Sequence, residues 1–261
     1  MHHIAGNWNE LQRQKLAKYN IEVSTGTLST FQIPEDSVYN TLEPYFKEWR
    51  VVDMLYTEFS KKELDEAKWL VLQGIWENGY PQPEDDFGYL KETYNLNGYC
   101  KMCGIGAIQE SAFRIKKEPK WGSKQMFQLT WVYDELFVEK SFYEEIFKIN
   151  GIDSKPVLLH KSGEECKTIV QLDLPSTDLE LSMEDLKYQQ CPVCHRKKYL
   201  PEFKGFFPNY SEEHKFMIFK GLEFFGSGAQ AYNQIFISQE LRQLLVKFKV
   251  IKSNQGIPLG E

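Results

Sequence analysis

The spacing of apolar positions changes along the chain, and each change predicts a different kind of element. Residues 10–18 form a short polar helix candidate, and Pro44 is expected to open a helical turn ending near Trp49. Residues 51–56 are rich in β-branched and apolar side chains and predict a strand. Ser60 and Glu63 have the spacing of a capping box, in which each side chain satisfies an orphan amide of the other's residue. The helix expected after it carries Leu64, Ala67, Trp69, Leu70 and Leu72 and ends near Gly74. Residues 79–86, rich in proline and acids, predict a loop and a boundary between an N-terminal α/β region, residues 1–86, and a sheet-containing domain, residues 87–261.

Further on, Phe127, Leu129, Trp131 and Tyr133 alternate with Gln128 and Thr130, the period of a half-buried strand. Ser141 and Glu144 repeat the capping-box spacing ahead of Ile146 and Phe147, with a stop at Gly151. Residues 156–160 and 168–174 predict the arms of a hairpin turning at Ser162 and Gly163. Residues 216–220 and 234–237 predict two more strands, separated by a Gly226-Ser-Gly228 turn. Ser238 then caps a helix whose Leu241, Leu244, Leu245 and Phe248 share one face. The fold class these elements predict is α+β, with a mixed or antiparallel sheet and packing helices. No repeat of solenoid period is present.

Composition narrows the function classes. The 261 residues are 42% hydrophobic and 26% charged, which excludes a disordered or low-complexity chain. The aromatic fraction of 15% supplies a large core and interface payload. A net charge of -6 argues against a general nucleic-acid binder, which must neutralise phosphates, and suits a basic protein partner. No apolar run reaches the length of a membrane span and no secretory signal pattern opens the sequence, so a cytoplasmic protein with reduced thiols is expected.

Four of the five cysteines fall in two pairs, Cys100-Lys-Met-Cys103-Gly104 and Cys191-Pro-Val-Cys194-His195. A C-x-x-C turn sets two sulfurs on one side of a tight loop, suited to a tetrahedral ion about 2.3 Å from each. Two such turns complete a four-thiolate shell, so Cys100, Cys103, Cys191 and Cys194 are the candidate ligands of one structural zinc. Gly104 permits the chain to turn sharply and Pro192 stiffens the second turn. The separation of the pairs far exceeds the roughly 15–20 residues of a compact ribbon, so folding must close the long segment between them. Alternative readings are buried unligated thiols, a thioredoxin-like redox motif, and c-type haem attachment at Cys191-Pro-Val-Cys194-His195. His195 could replace one sulfur, although four sulfurs already fill a tetrahedral shell.

Other residues offer weaker chemistry. Cys166 with His160 could make a nucleophile and base, and Asp134 with Glu135 could bind a metal or exchange a proton. The ordinary reading of those acids is a solvated strand end. Arg114, Lys116, Lys117, Lys120 and Lys124, with Trp121 among them, form a basic cluster of the kind that binds nucleic acid, or simply a solvated face. Residues 84–86, with Glu58, Glu63, Asp65 and Glu66, form the acidic counterpart, which could steer a basic partner.

The succession of C-x-x-C-G at Cys100, a long mixed insert, a second C-x-x-C at Cys191, a short strand and a Ser-capped helix resembles the double-CxxCG motif family of bacterial polymorphic-toxin immunity proteins. The closing segments Ile235-Phe-Ile-Ser-Gln-Glu-Leu-Arg-Gln-Leu-Leu and Gly256-Ile-Pro-Leu are similar to the ends of such proteins. The resemblance runs from about Cys100 onward, and His195 stands where a second glycine would complete the motif. It implies a non-enzymatic binding protein that neutralises a cognate toxin by occlusion, without a catalytic residue of its own. An acidic surface would suit a basic toxin. An enzyme using Asp134, Glu135 or His160 in a cleft, and a zinc-containing nucleic-acid binder, are the alternatives.

Overall fold

The computed structural model describes all residues except 183–185, 201–203, 211–214 and 261. Helices and strands occur in mixed and antiparallel sheets, so the fold class is α+β. The chain divides into two compact units.

The smaller unit comprises Met1–Glu58, with Lys204 and Gly205. His2–Asn7 lies at the centre of a three-stranded antiparallel sheet, between Leu28–Ile33 and Val52–Leu55. Two helices cover it, Glu10–Ala17 and Ser37–Trp49. The second begins earlier than Pro44 suggests, because Asp36 caps it by accepting from the amides of Val38 and Tyr39. Pro44 therefore sits inside the helix. The core gathers Ile4, Trp8, Leu16, Ile33, Leu42 and Phe46. His2 is part of this framework: it stacks on Tyr39, with ring centroids 3.5 Å apart, and its Nδ1 lies 2.8 Å from Asp53.

Among the described residues, the larger unit holds two six-stranded sheets and a two-stranded ribbon. The first sheet runs Trp76–Glu77, Met126–Gln128, Phe137–Glu139, Glu165–Asp173, Asp153–Leu159 and Arg114–Ile115. Its central hairpin is the one predicted around Ser162 and Gly163. The second sheet runs Tyr188–Gln190, Lys197–Tyr199, Ile218–Phe225, Tyr232–Ser238, Trp69–Val71 and Ile257–Pro258. One apolar cluster joins the two sheets, with Val138, Val170 and Leu172 meeting Leu70, Ile218 and Ile237. The C-terminal helix Gln239–Lys247 seals this core through Leu241 and Leu245, and its cap is the Ser238 side chain accepting from Leu241 N. The opposite face of the first sheet buries Phe113, Phe127, Phe137 and Ile169. That sheet is thus covered on both sides, which explains the run of buried residues in Glu165–Asp173.

Three local expectations change in this unit. The Ser60 capping box forms as read, yet its helix stops at Glu66, and Trp69–Val71 is a strand between Tyr232–Ser238 and Ile257–Pro258. The segment after residue 58 therefore packs with the cysteine-bearing part of the chain. The alternation at 127–133 yields only the strand Met126–Gln128, because Trp131 adopts φ 76 and turns the chain. At the second capping-box signature the helix begins at Lys140, directly from the strand Phe137–Glu139, and no side chain caps it. It continues as a wider turn over Tyr143–Phe147 and ends at Gly151, φ 72, as expected.

Candidate metal centre

The two C-x-x-C turns meet. Cys100 Sγ lies 3.8 Å from Cys191 Sγ, Cys103 Sγ lies 3.6 Å from Cys194 Sγ, and all four sulfurs fall within 4.8 Å of one another. A disulfide requires about 2.05 Å. Four sulfurs placed about 2.3 Å from a central ion define a tetrahedron with edges of about 3.8 Å. The spacing is that of a ligand shell, and the donor set is one that zinc favours. Cys100, Cys103 and Cys191 are buried and Cys194 is half-buried. This protection excludes solvent from most of the cluster.

Both turns are built alike. Cys100 O accepts from Gly104 N at 2.8 Å, and Cys191 O accepts from His195 N at 2.9 Å. One residue later, the carbonyls of Ile105 and Arg196 accept from Cys100 N and Cys191 N, at 2.9 and 3.0 Å. Each turn needs a left-handed residue at its fifth position, and Gly104 at φ 82 and His195 at φ 59 supply it. A Cβ on Gly104 would stand 2.3 Å from Ala229 O. The first turn therefore excludes every side chain, whereas the exposed His195 has room for one. His195 lies outside the group of close sulfur ligands.

Two cations attend the cluster, and neither was singled out from the sequence. Arg196 Nε donates to Cys194 Sγ at 3.3 Å and its Nη2 donates to Gly98 O at 2.8 Å. The Lys198 ammonium is buried and donates to Cys103 O, Gly228 O and Gln230 O at 2.7–2.8 Å. It ties the first cysteine turn to the loop before Tyr232–Ser238. The sequence signal was the basic run after Cys194, which reads equally well as a solvated edge strand. Four thiolates around a divalent ion leave two net negative charges, so buried positive charge here has an electrostatic purpose.

The thiols differ accordingly. Burial pushes Cys103 up to about 12. The Arg196 guanidinium lowers Cys194 to about 6, and the amides of Cys194 and Val193 lower Cys191. Burial pulls Lys198 below the usual lysine value. The second pair is thus disposed toward thiolate, burial holds Cys103 toward its protonated form, and a cation between the sulfurs would favour its thiolate.

The remaining candidates lie elsewhere. Cys166 is a core residue whose thiol burial pushes up to about 12, which disfavours its thiolate. Glu135 is buried rather than solvated: its carboxylate takes Lys220 Nζ and, at 2.8 Å, Gln171 Nε2. Burial raises Glu135; burial opposes the charge on Lys220, but the carboxylates of Glu135 and Asp134 outweigh it and raise the ammonium. Asp134 accepts from Asn233 N at 3.3 Å. Trp121 donates to Thr168 Oγ1 at 3.2 Å and packs on Phe127, so it is part of the core edge and not a free stacking platform for the lysines around it. In the helix Lys61–Glu66, Asp65 and Glu66 pair with lysines one turn back.

Among the described residues no helix is long and apolar enough to cross a membrane. Compared with known proteins, the chain matches no family model, no curated protein and no solved structure.

Proposed function

We propose that Cys100, Cys103, Cys191 and Cys194 hold one structural zinc ion, and that the chain is a non-enzymatic binding protein. The observation that carries the first part is the close spacing of four sulfurs from two like-built turns, within the reach of one ion. Four protein ligands leave no open position for water or substrate, so the ion's work is mechanical. It clamps the loop before Lys197–Tyr199 to the segment after Tyr94–Asn95, positions 91 residues apart in the chain. Closing a loop of that length costs about 4 kcal/mol in chain entropy. A structural zinc site contributes roughly 10–16 kcal/mol, enough to offset it.

The second part rests on the resemblance to the double-CxxCG family and on the engagement of the alternative catalytic groups, Glu135 with Lys220 and Cys166 within the core. On this reading the chain is an immunity protein that neutralises a cognate toxin by covering it, and a basic toxin would match the chain's net charge of -6. Elemental analysis of the purified protein should find one zinc per chain, with four thiols unreactive until a chelator is added. Co-expression with a basic toxin that this chain binds in a pull-down should restore growth of sensitive cells. A metal-free protein with reactive thiols overturns the first part, and unrescued growth overturns the second.

A further inference from the structure

Beside the cysteine turns lies a cavity of about 560 Å³ that the metal reading leaves unused. Its size falls within the roughly 300–1,000 Å³ of small-molecule sites. The backbones of Gly104 and Gly106 form one wall, and the aromatic side chains of Phe87, Tyr89, Tyr94, Tyr99, Trp131 and Tyr133 form much of the rest. These rings are set at varied angles. Phe87 meets Trp131 at 4.6 Å and 49°, Tyr89 lies parallel to Trp131 at 6.2 Å, and Tyr89 meets Tyr94 edge-on at 6.4 Å. The cavity wall is thus rich in aromatic surface, which offers π-density to a cation.

Among the described residues, Asp134 is the only charged side chain on the cavity wall. It forms no ion pair among the described residues. Lys220, whose charge it supports, is bonded to the neighbouring Glu135. The trio thus has one more carboxylate than ammonium, and the surplus faces the aromatic walls. The hydroxyls of Tyr89, Tyr94 and Tyr99 also have no hydrogen-bond partner among the described residues. Phe87 and Trp131 hold left-handed backbone, φ 54 and 76, which aims two large rings from tight turns. Phe87 is 51% exposed and sits at the rim.

We infer that this cavity binds a small organic cation, an ammonium on a compact apolar body, with its charge against the aromatic faces and Asp134. Ring quadrupoles attract such a cation, and a carboxylate without a counter-ion adds direct attraction. An anion meets the Asp134 carboxylate there and no basic side chain among the described lining residues. The site is independent of the proposed toxin partner, and it requires the cysteine turns only as a wall.

The test uses the full chain as purified and three matched probes: choline, its neutral tert-butyl isostere, and pivalate. Calorimetry and ligand-observed NMR should show saturable choline binding, with the isostere about tenfold weaker and pivalate unbound. Asp134→Asn should weaken choline by about tenfold with unchanged metal content and circular dichroism. Phe87→Ala, at the exposed rim, should weaken it about threefold and decides the matter if the Asp134 variant fails to fold. No saturable choline binding, equal binding of choline and its isostere, or binding indifferent to whichever of these variants folds would overturn the assignment.

Discussion

The two cysteine turns share one backbone design and live under different constraints. Cys100–Gly104 is enclosed: a carbonyl of the neighbouring loop stands where a side chain on Gly104 would go. Cys191–His195 is open at the same position and carries an exposed imidazole. After the left-handed residue, the first turn continues into the buried Ile105 and the second into Arg196, which reaches back to its own cysteine. The same hydrogen-bond geometry is thus enclosed by packing and the Lys198 ammonium on one side and supported by the Arg196 guanidinium on the other. A C-x-x-C-G signature is therefore a statement about backbone angle, and glycine is obligatory only where something crowds the turn.

The comparison can be broken most severely by removing a ligand from either turn. Cys100→Ser should abolish stoichiometric metal and lower the thermal midpoint of the larger unit by more than about 10 °C, read by elemental analysis and calorimetry. Retained stability would mean that the sheet alone holds the turns together. Lys198→Met comes next. It keeps the stem and leaves three carbonyls without their donor, at a cost of roughly 3–5 kcal/mol in urea unfolding. Gly104→Ala should cost roughly 2–4 kcal/mol, since the backbone at φ 82 and the clash with Ala229 O must both be accommodated.

Smaller effects sharpen the contrast. Glu118 separates carboxylate protonation from metal release in acid titrations. Burial opposes its ionised form, but the Thr168 hydroxyl and the amides of Lys167 and Thr168 outweigh it, so its carboxyl is held below the ordinary value of 4.5. A lowered folded value means that the stabilisation is complete above the unfolded value and disappears as pH falls through the folded one. Glu118→Gln should therefore cost about 1 kcal/mol at neutral pH and nothing at low pH, whether or not metal is bound. His195→Gly should be the mildest, within about 1 kcal/mol of the parent, because relief of left-handed strain and the added freedom of glycine oppose each other. If His195→Gly were as damaging as Gly104→Ala, the two turns would not differ as described.

Local chemistry was legible wherever the determining groups are close in sequence. The Ser60 capping box, the Ser238 cap, the hairpin at Ser162 and Gly163, and the stop at Gly151 all formed as read. The identical box spacing at Ser141 and Glu144 was not used, because a strand runs directly into that helix and places Ser141 inside it. Trp69–Val71 had the composition of either element, and partners at Tyr232–Ser238 and Ile257–Pro258 decided for strand. The acids at 134–135 resembled a solvated strand end until Lys220 and Gln171 arrived from other strands.

The cysteine pairs show where the line falls. The sequence by itself determined the α+β class, the two sulfur-bearing turns and the residue types able to hold an ion, since these follow from side-chain chemistry within a few residues. Only the tertiary structure decided that the turns meet, that Lys198 bridges the first turn to a neighbouring loop, and that Asp134 lines an aromatic cavity. Those outcomes depend on pairings between segments tens to more than a hundred residues apart. Their free energy comes from the whole core, and no local window of sequence contains it.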